Sequence, residues 1–475
     1  MAPATQMAAR PPRGGSSFRV LRTARVAPSS PDGVPSLRER AVPLTFLDAI
    51  WLQSPPVDRV FLYRVGADDV DAVLSRLADS LSRVLHVFYP LAGRLRLTPG
   101  KTNRYELFYQ PGDGVAFTVA EHDGVGVRVD ELAADDPREV AKIAQLVPEL
   151  PDGGAVLAVQ VTVLLPARRG LALGVTVHHA ACDGSSSTHF LHTWAAACAG
   201  TAVMLPKPPI VDHTFIRERE DLYDVMVNRT KEFEKFISPH VADNKLLATF
   251  TLSGEILQSI KDRVAGVAAR RGAPPPRCTS IVATFAIIWQ CHIRAALSDV
   301  EVDKPRNHGR VHFVFPTDHR ARMEPRVPDK YLGNCVGPCF ASAPKKEIAA
   351  TDADGLFTTC SAIAAAIDEG TRYDPDYWER CSEHVKEMST SDGAPLSVAG
   401  SPRFRVYDVD FGFGRPAKVD VVSVAKTGAI SVAEGRAGSG GIEVGIALSP
   451  EMMERFRRCF ADAVAWLSSL SSSNK

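Results

Sequence analysis

A predicted strand ends in the sequence Gly174-Val-Thr-Val-His178-His179-Ala-Ala-Cys182-Asp183-Gly184. Apolar residues alternate before His178 as they do in a strand, and Asp183-Gly184 is typical of a turn. An imidazole at a strand end can remove a proton from a hydroxyl or an amine, because histidine titrates near neutral pH. His179 is therefore predicted to be a general base, with the side chain of His178 facing the other side of the sheet. A strand end followed by an ordinary turn also explains the pattern.

A second motif, Asp410-Phe-Gly-Phe-Gly414, lies far downstream. Its glycines permit tight or left-handed backbone, and its aromatic rings can pack. We interpret Asp410, Gly412 and Gly414 as a structural element that supports the site. A direct catalytic role through Asp410 is the alternative.

Together the two motifs resemble the signature of the plant BAHD acyltransferases, His-x-x-x-Asp near the middle and Asp-Phe-Gly-Trp-Gly near the C-terminus. Phe413 stands where that family usually has Trp. Further segments similar to family blocks are Val20-Leu-Arg-Thr-Ala-Arg-Val26, Pro43-Leu-Thr-Phe-Leu-Asp48, Tyr89-Pro-Leu-Ala-Gly-Arg94, Asp318-His-Arg320 and Tyr331-Leu-Gly-Asn-Cys335. The last block and Ser401-Pro-Arg403-Phe404 are similar to the branch that acylates sugar hydroxyls of flavonoid and other phenolic glucosides.

The resemblance also bears on the fold. With 475 residues the chain exceeds one ordinary core, so two domains are expected. The family implies an α/β fold of two similar chloramphenicol-acetyltransferase-like domains, each a mixed β-sheet flanked by helices, with the active site in a channel between them. We predict a disordered tail (1–18), an N-terminal domain with HxxxD (19–204), a crossover linker (205–244) and a C-terminal domain with DFGFG (245–475).

Hydrophobic spacing predicts the elements of both halves. The predicted helices are 69–85, 187–199, 279–296, 350–369, 377–388 and 450–470. The predicted strands are 155–165, 171–178, 311–315, 405–410, 419–425, 429–433 and 442–447.

The resemblance implies an O-acyltransferase that moves an acyl group from coenzyme A to a hydroxyl of a phenolic or flavonoid glucoside, by direct transfer in a ternary complex. Malonyl-CoA is the favoured co-substrate, with no tightly bound cofactor and no metal. An alternative within the family uses acetyl- or hydroxycinnamoyl-CoA on an alcohol or amine. The His-His-x-x-x-Asp-Gly pattern also fits peptide condensation domains, and a catalytically inactive protein that binds a metabolite or a partner is a further alternative.

The resemblance also assigns roles around the base. It implies that Asp183 turns away from His179 and forms a structural ion pair with Arg320, although Asp183 could instead orient the imidazole as a triad aspartate does. Cys182 is interpreted as a small buried residue rather than a nucleophile. Asn334 is a candidate oxyanion donor, because the Thr-x-Trp of hydroxycinnamoyl-transferring relatives is replaced here by Ala399-Gly-Ser401.

The phosphates of coenzyme A need basic or hydroxyl partners. Candidates are Arg277, Ser280, Ser401, Arg403, Arg415 and Lys418, each of which could equally be a solvated surface residue. Ser185 follows the first motif at a position where sugar-malonylating relatives often carry a basic residue. This difference counts against malonyl-CoA as the donor.

The composition favours a cytoplasmic enzyme, and a monomer is the starting expectation. Lys and Arg total 55 and so do Asp and Glu, which gives no nucleic-acid footprint. The nine cysteines form no C-x-x-C pair, so reduced thiols are expected. No apolar stretch reaches the roughly 20 residues of a membrane span. The first 30 residues lack acidic side chains, as transit peptides do, but the family-like sequence from Val20 favours a simple tail.

Overall fold

The computed structural model describes residues 17–66, 70–165, 170–200, 206–233, 244–297, 309–372, 376–389, 394–438 and 440–469. The chain forms two compact units. The first consists of Met1–Asp243, Glu324–Cys335 and Phe404–Thr427, and the second of Asn244–Met323, Val336–Arg403 and Gly428–Lys475. The predicted tail lies outside the described residues, apart from positions 17 and 18, and so does the last part of the predicted linker.

The first unit contains both strands and helices. Its strands are β1 (Phe18–Val26), β2 (Arg40–Pro43), β3 (Val57–Arg64), β4 (Arg94–Leu97), β5 (Tyr105–Tyr109), β6 (Val115–His122), β7 (Arg138–Glu139), β8 (Leu157–Leu164), β9 (Gly170–Val177) and β14 (Lys418–Val421). Its helices are α1 (Phe46–Ala49), α2 (Val70–Leu85), α3 (Val129–Leu132), α4 (Val140–Ala144), α5 (Gly184–Ala199), α6 (Glu220–Phe233) and α12 (Val424–Thr427).

A mixed sheet organises this unit, with the strand order β1-β6-β8-β9-β3-β14. β6 and β8 run parallel, whereas β8 and β9, β9 and β3, and β3 and β14 are antiparallel. Every residue of β8 and β9 is buried, as expected for central strands covered on both faces. A smaller sheet has the order β2-β5-β4.

The second unit also combines a sheet with helices. Its strands are β10 (Leu246–Leu252), β11 (Arg310–Asp318), β12 (Val336–Pro344), β13 (Leu396–Gly400), β15 (Ile430–Glu434) and β16 (Ile442–Leu448). Its helices are α7 (Gly254–Arg271), α8 (Ser280–Ala296), α9 (Lys345–Ala349), α10 (Ala353–Gly370), α11 (Tyr377–Ser389) and α13 (Pro450–Ser468). The strand order is β12-β11-β13-β15-β16-β10. β13 is parallel to both of its neighbours, so this sheet is mixed as well.

Helix α8 forms the centre of the second core. Its residues Phe285, Ile288 and Trp289 are buried against apolar residues of the neighbouring strands and helices. Thr279 caps the N-terminus of the helix, because its hydroxyl accepts a hydrogen bond from the amide of Val282 at 3.3 Å. The predicted α/β class, with mixed sheets flanked by helices, is confirmed.

Two sequence predictions were wrong here. The DFGFG segment was assigned to the C-terminal domain, but 404–427 belongs to the first unit, where β14 pairs with β3. A strand was predicted at 405–410, but this segment contains the 3-10 turn Val406–Asp408, and Arg405 has a left-handed φ of 53°. Its apolar residues are buried by a turn, so their spacing imitated a strand. The predicted linker also contains a helix, α6.

Across the described ranges, none of the helices combines the length and the apolar character that a membrane crossing requires.

Candidate active site

His179 lies just beyond the end of β9. The strand ends at Val177, and His179–Ala181 forms a 3-10 turn. His178 caps this turn, because its Nδ1 accepts a hydrogen bond from the amide of Ala180 at 3.2 Å. The imidazole of His178 is therefore engaged in local backbone structure, and His179 is the histidine of the pair that remains a candidate base.

The imidazole of His179 lies against an aromatic ring. The indole of Trp51 is stacked on it, with ring centroids 3.8 Å apart and planes 12° from parallel. Nδ1 of His179 is buried and has no hydrogen-bond partner among the residues that the structure describes. Burial lowers the pKa of His179, against the opposing influence of the negative charge of Asp183. The ring is thus held neutral near pH 7, which is the form that accepts a proton.

Asp183 connects helix α5 to the loop before β12. Its Oδ1 caps the helix by accepting from the amide of Ser186 at 2.9 Å, and its Oδ2 accepts from the amide of Cys335 at 3.0 Å. The hydroxyl of Ser186 extends this connection by donating to the carbonyls of Tyr331 and Gly333. Asp183 is almost completely buried, at 1% exposure. These bonds support the prediction of a structural role for Asp183.

The predicted partner of Asp183 belongs to the second unit. Arg320 follows β11, where its amide donates to Oδ1 of Asp318 at 2.9 Å and its Nη1 lies 3.4 Å from the same oxygen. The ion pair of Asp183 with Arg320 stays a prediction.

Asn334 is close to His179, but its amide group is already engaged. Nδ2 donates one hydrogen to Oδ1 of Asp48 and the other to the backbone carbonyl of His179, both at 2.9 Å. Both partners are acceptors only, so this orientation of the amide is the one that satisfies them. The geometry corrects the prediction of an oxyanion donor, because no hydrogen on Nδ2 remains for a developing oxyanion. Asn334 instead fixes the backbone of the base.

Asp48 is the second anchor of this network. It is fully buried in α1, with Oδ2 accepting from the amide and the hydroxyl of Thr45 at 2.8 and 2.7 Å. Oδ1 accepts from the backbone amide of Asn334 as well as from its side chain. The sequence showed Asp48 only as the end of a family-like block, and it gave no role to Trp51, which lies three residues further on. The only hint in the sequence was that a carboxylate, Asp48, and an aromatic residue, Trp51, follow Thr45 within six positions.

Arg59 is a further residue that the sequence did not single out. It lies on β3, is buried, and donates from Nη1 to the hydroxyl of Thr188 at 3.1 Å. Burial lowers the pKa of its guanidinium, while the neighbouring Cys182 and Asp183 act to raise it. A positive charge is therefore packed beside the HxxxD segment.

The DFGFG segment folds around its own aspartate. Oδ1 of Asp410 accepts from the amides of Gly412 and Gly414 at 2.8 and 2.9 Å. Both glycines have positive φ, 91° and 102°, which side chains with a Cβ rarely adopt. Both of these hydrogen bonds lie within the motif, which supports its interpretation as a structural element.

The aromatic residues of the motif pack against the first unit. Phe411 is fully buried and lies edge-on to Trp194, with centroids 4.9 Å apart. Phe413 meets Tyr63 at 4.9 Å, and the hydroxyl of Tyr63 donates to the carbonyl of Val409. The phenyl ring at 413 thus makes an aromatic contact without the N–H of the usual Trp.

Most of the residues predicted to contact coenzyme A are at least partly exposed. Arg277 is exposed, and Ser280 begins α8, where its hydroxyl accepts from Lys261 Nζ at 3.0 Å. The hydroxyl of Ser401 accepts a hydrogen bond from the backbone amide of Arg403. Arg403 is exposed. Arg415 is exposed and pairs with Asp408 at 3.0 Å.

The structure corrects the prediction that Lys418 contacts coenzyme A. Its side chain is only 1% exposed, and Nζ pairs with Asp135 at 2.6 Å within the first unit. Burial lowers the pKa of its ammonium group, and the nearby Asp420 opposes that effect. A buried and paired lysine holds the unit together and cannot reach a phosphate in solution.

Cys182 is buried, at 3% exposure, in agreement with its interpretation as a small core residue. In the part of the chain that the structure describes, no group of three or more His, Cys, Asp or Glu side chains could hold a metal ion.

Sequence comparison identifies the class of protein. The sequence profile of the Transferase family matches residues 18–462. The chain belongs to this family, the BAHD acyltransferases, whose enzymes use acyl-CoA as co-substrate and act on hydroxyl groups.

Several characterised relatives are similar over nearly their whole length. Phenolic glucoside malonyltransferase 1 of Arabidopsis thaliana is 32% identical, over 92% of this chain and 96% of the relative. Malonyl-CoA:anthocyanidin 5-O-glucoside-6''-O-malonyltransferase of the same plant is 32% identical, over 94% and 98%. Agmatine coumaroyltransferase, also from Arabidopsis thaliana, is 29% identical, over 94% and 98%.

Solved structures agree on the fold. Vinorine synthase matches with a TM-score of 0.66 at 21% identity, covering 92% of this chain and 96% of that one. F. sporotrichioides TRI101, solved with coenzyme A and T-2, matches with a TM-score of 0.61 at 17% identity, covering 88% and 97%.

Proposed function

We propose that this enzyme transfers a malonyl group from malonyl-CoA to a sugar hydroxyl of a phenolic or flavonoid glucoside, with His179 as the general base. The observation that carries the proposal is the imidazole of His179, kept neutral by burial and held at the end of β9. The two malonyltransferase relatives at 32% identity support the donor and the acceptor class.

The chemistry needs one proton acceptor and no covalent enzyme intermediate. Nε2 of His179 takes the proton of the acceptor hydroxyl while its oxygen bonds to the thioester carbonyl carbon. The tetrahedral intermediate then collapses, the carbon–sulfur bond breaks, and the imidazolium returns the proton to the leaving thiolate. Cys182 takes no part, since a buried thiol is a poor nucleophile.

The nucleotide phosphates of the donor need a positive surface. Arg277 and Ser280 are the candidates we favour, because Ser280 begins α8 and Lys261 lies 3.0 Å from its hydroxyl. A helix N-terminus and two basic side chains together suit a phosphate group. Ser401, Arg403 and Arg415 are further candidates.

A mass-spectrometric screen tests the function. Purified enzyme is incubated with malonyl-, acetyl- or coumaroyl-CoA and a panel of phenolic glucosides, aliphatic alcohols and amines, with the His179→Ala variant as the control. We expect a malonylated glucoside that the control does not form. Acyl transfer only from the other donors would reject the malonyl assignment, and no product from any pair would favour the catalytically inactive alternative.

A second candidate is hydroxycinnamoyl or acetyl transfer to an alcohol or an amine. Ser185 favours it, because a neutral residue follows the motif where a basic partner for the malonyl carboxylate is often found. The similarity to agmatine coumaroyltransferase supports it as well. The same screen separates the two candidates through the donor and the acceptor that react.

We also propose that the enzyme is a cytoplasmic monomer. Cysteines such as Cys182, Cys198, Cys335 and Cys339 are buried thiols, which suit a reducing compartment. Size-exclusion chromatography with light scattering and a fluorescent fusion in plant cells would test the two parts.

A further inference from the structure

We propose that Trp51 is a positioning residue for the His179 base, and that its indole face stabilises the imidazolium formed when His179 takes the acceptor proton. The inference rests on the proposed function for its catalytic consequence. It concerns a residue to which the sequence motifs assign no role.

The first argument is the stacking geometry. Ring centroids 3.8 Å apart and planes only 12° from parallel place the imidazole flat on the indole. A cation over the face of a tryptophan is attracted by the negative face of the ring, and tryptophan is the best side chain for this contact. The protonated base therefore gains more from this contact than the neutral base does.

The second argument is that the usual orienting partner is engaged elsewhere. In a catalytic triad a carboxylate accepts from Nδ1 of the histidine and fixes its ring. Here both carboxylate oxygens of Asp183 accept from backbone amides. Nδ1 of His179 has no hydrogen-bond partner within the described part of the chain. The stacked indole therefore helps to hold the ring, beside the side chain of Asn334, whose interaction with His179 acts to raise the pKa of the base.

Trp51 is less buried than three of the other tryptophans. Trp194, Trp289 and Trp378 are buried, whereas Trp51 is partly exposed in a turn directly after α1. One face of this partly exposed tryptophan is covered by the imidazole of His179. The turn is well defined, because the amide of Trp51 donates to the carbonyl of Asp48 at 3.1 Å.

The same short segment also holds the backbone of the base. Asp48 binds the side chain of Asn334, which donates to the carbonyl of His179. Residues 48 and 51 thus control the main chain and the ring of His179 together. Besides this contact, the charged or titratable groups that act on His179 are His178, Asp183 and Arg59.

Two variants separate the π face from the volume of the side chain. Trp51→Phe keeps an aromatic face, and Trp51→Leu keeps an apolar cover but removes the π system. We expect Leu to lower kcat about five- to tenfold with little change in the acceptor KM, and Phe to recover most of the loss. The acidic limb of the kcat/KM profile should move to lower pH in the Leu variant, because the imidazolium loses its partner.

A readout without substrate makes the inference independent of the proposed function. Titration of ¹³C-labelled histidines by NMR, with the His179 signal assigned by its loss in His179→Gln, reports the pKa of His179 directly. We expect a lower pKa in Trp51→Leu than in wild type, with Trp51→Phe between them. Trp466→Leu, in α13, is the control and should leave the signal unchanged.

Equal titration of His179 in the wild type and the Leu variant would overturn the proposal, whether or not an acyl acceptor is found. A Trp51→Leu variant with a raised acceptor KM and an unchanged kcat would also overturn it. If the Leu variant does not fold, as judged by circular dichroism, Trp51→Met replaces it, because methionine is flexible and apolar. The expected and contradicting results are the same.

Discussion

The side-chain amide of Asn334 donates a 2.9 Å hydrogen bond to the backbone carbonyl of His179. This bond joins the loop after Tyr331 to the turn that carries the base. It also explains how two segments about 155 positions apart in sequence cooperate at one site.

Replacement of Asn334 should therefore affect the base through its backbone. Asn334→Ala removes both donors and leaves the buried carboxylate of Asp48 with fewer partners, at a cost of about 1–3 kcal/mol. Asn334→Asp should be worse, because it adds a carboxylate beside Asp48 and the carbonyl. Urea unfolding and kcat would both be measured. An Asp variant as stable as wild type would contradict the network.

Loss of the base should remove turnover with little effect on folding. His179→Ala is expected to reduce kcat at least about a hundredfold, with a nearly unchanged melting temperature. His178→Asn is the matched control, because asparagine can still accept the capping hydrogen bond from the amide of Ala180. Its kcat should stay close to wild type. Turnover retained in the Ala variant would remove His179 from the role of base.

Asp183 should matter for stability. Asp183→Ala leaves the amides of Ser186 and Cys335 without acceptors and should cost about 3 kcal/mol, whereas Asp183→Asn keeps one acceptor oxygen and should cost less. The free energy of unfolding, measured by urea titration, would show which of the two variants is less stable. Unchanged unfolding curves together with lost turnover would instead indicate a catalytic aspartate.

The two glycines of the DFGFG turn offer a matched pair. Both have positive φ, but a Cβ at Gly412 would lie 3.0 Å from Cα of Ala199, while one at Gly414 would meet nothing within 4 Å. Gly414→Ala should cost about 1–2 kcal/mol from the backbone alone, and Gly412→Ala should cost more. Thermal melting would rank them. The reverse order would show that contact with Ala199 is unimportant.

Acidification should destabilise the fold through buried neutral histidines. Burial lowers the pKa of His292 to about 4. Between its ordinary value near 6.5 and about 4, the unfolded chain binds a proton that the folded chain does not, so stability falls as pH falls through this window.

His292→Leu removes this proton site and should make the pH dependence of unfolding shallower between pH 6.5 and about 4. His292→Gln is the control, because it also lacks the proton site but keeps a polar group. If both variants retained the wild-type slope, His292 would not contribute to it.

Most of the helices and strands that the sequence predicted are present in the structure, because their hydrophobic spacing reflects burial on one face. The expected strand at 171–178 and helix at 279–296 correspond to β9 and α8 within a residue or two. The strand predicted at 405–410 is absent. Val406, Tyr407 and Val409 are instead buried by a turn in which Arg405 has a left-handed backbone conformation. Periodicity reports burial, and it could not distinguish a strand from a buried turn there.

The sequence by itself indicated the family, and it predicted His179 as the base and structural roles for Asp183 and for Asp410 to Gly414, because local motifs carry this information. Tertiary structure decided which side chains surround the base. It joined Trp51, Asp48 and Asn334 to His179, brought 404–427 into the first unit and buried Lys418 against Asp135. These contacts connect residues that are distant in the chain, so only folding brings them together.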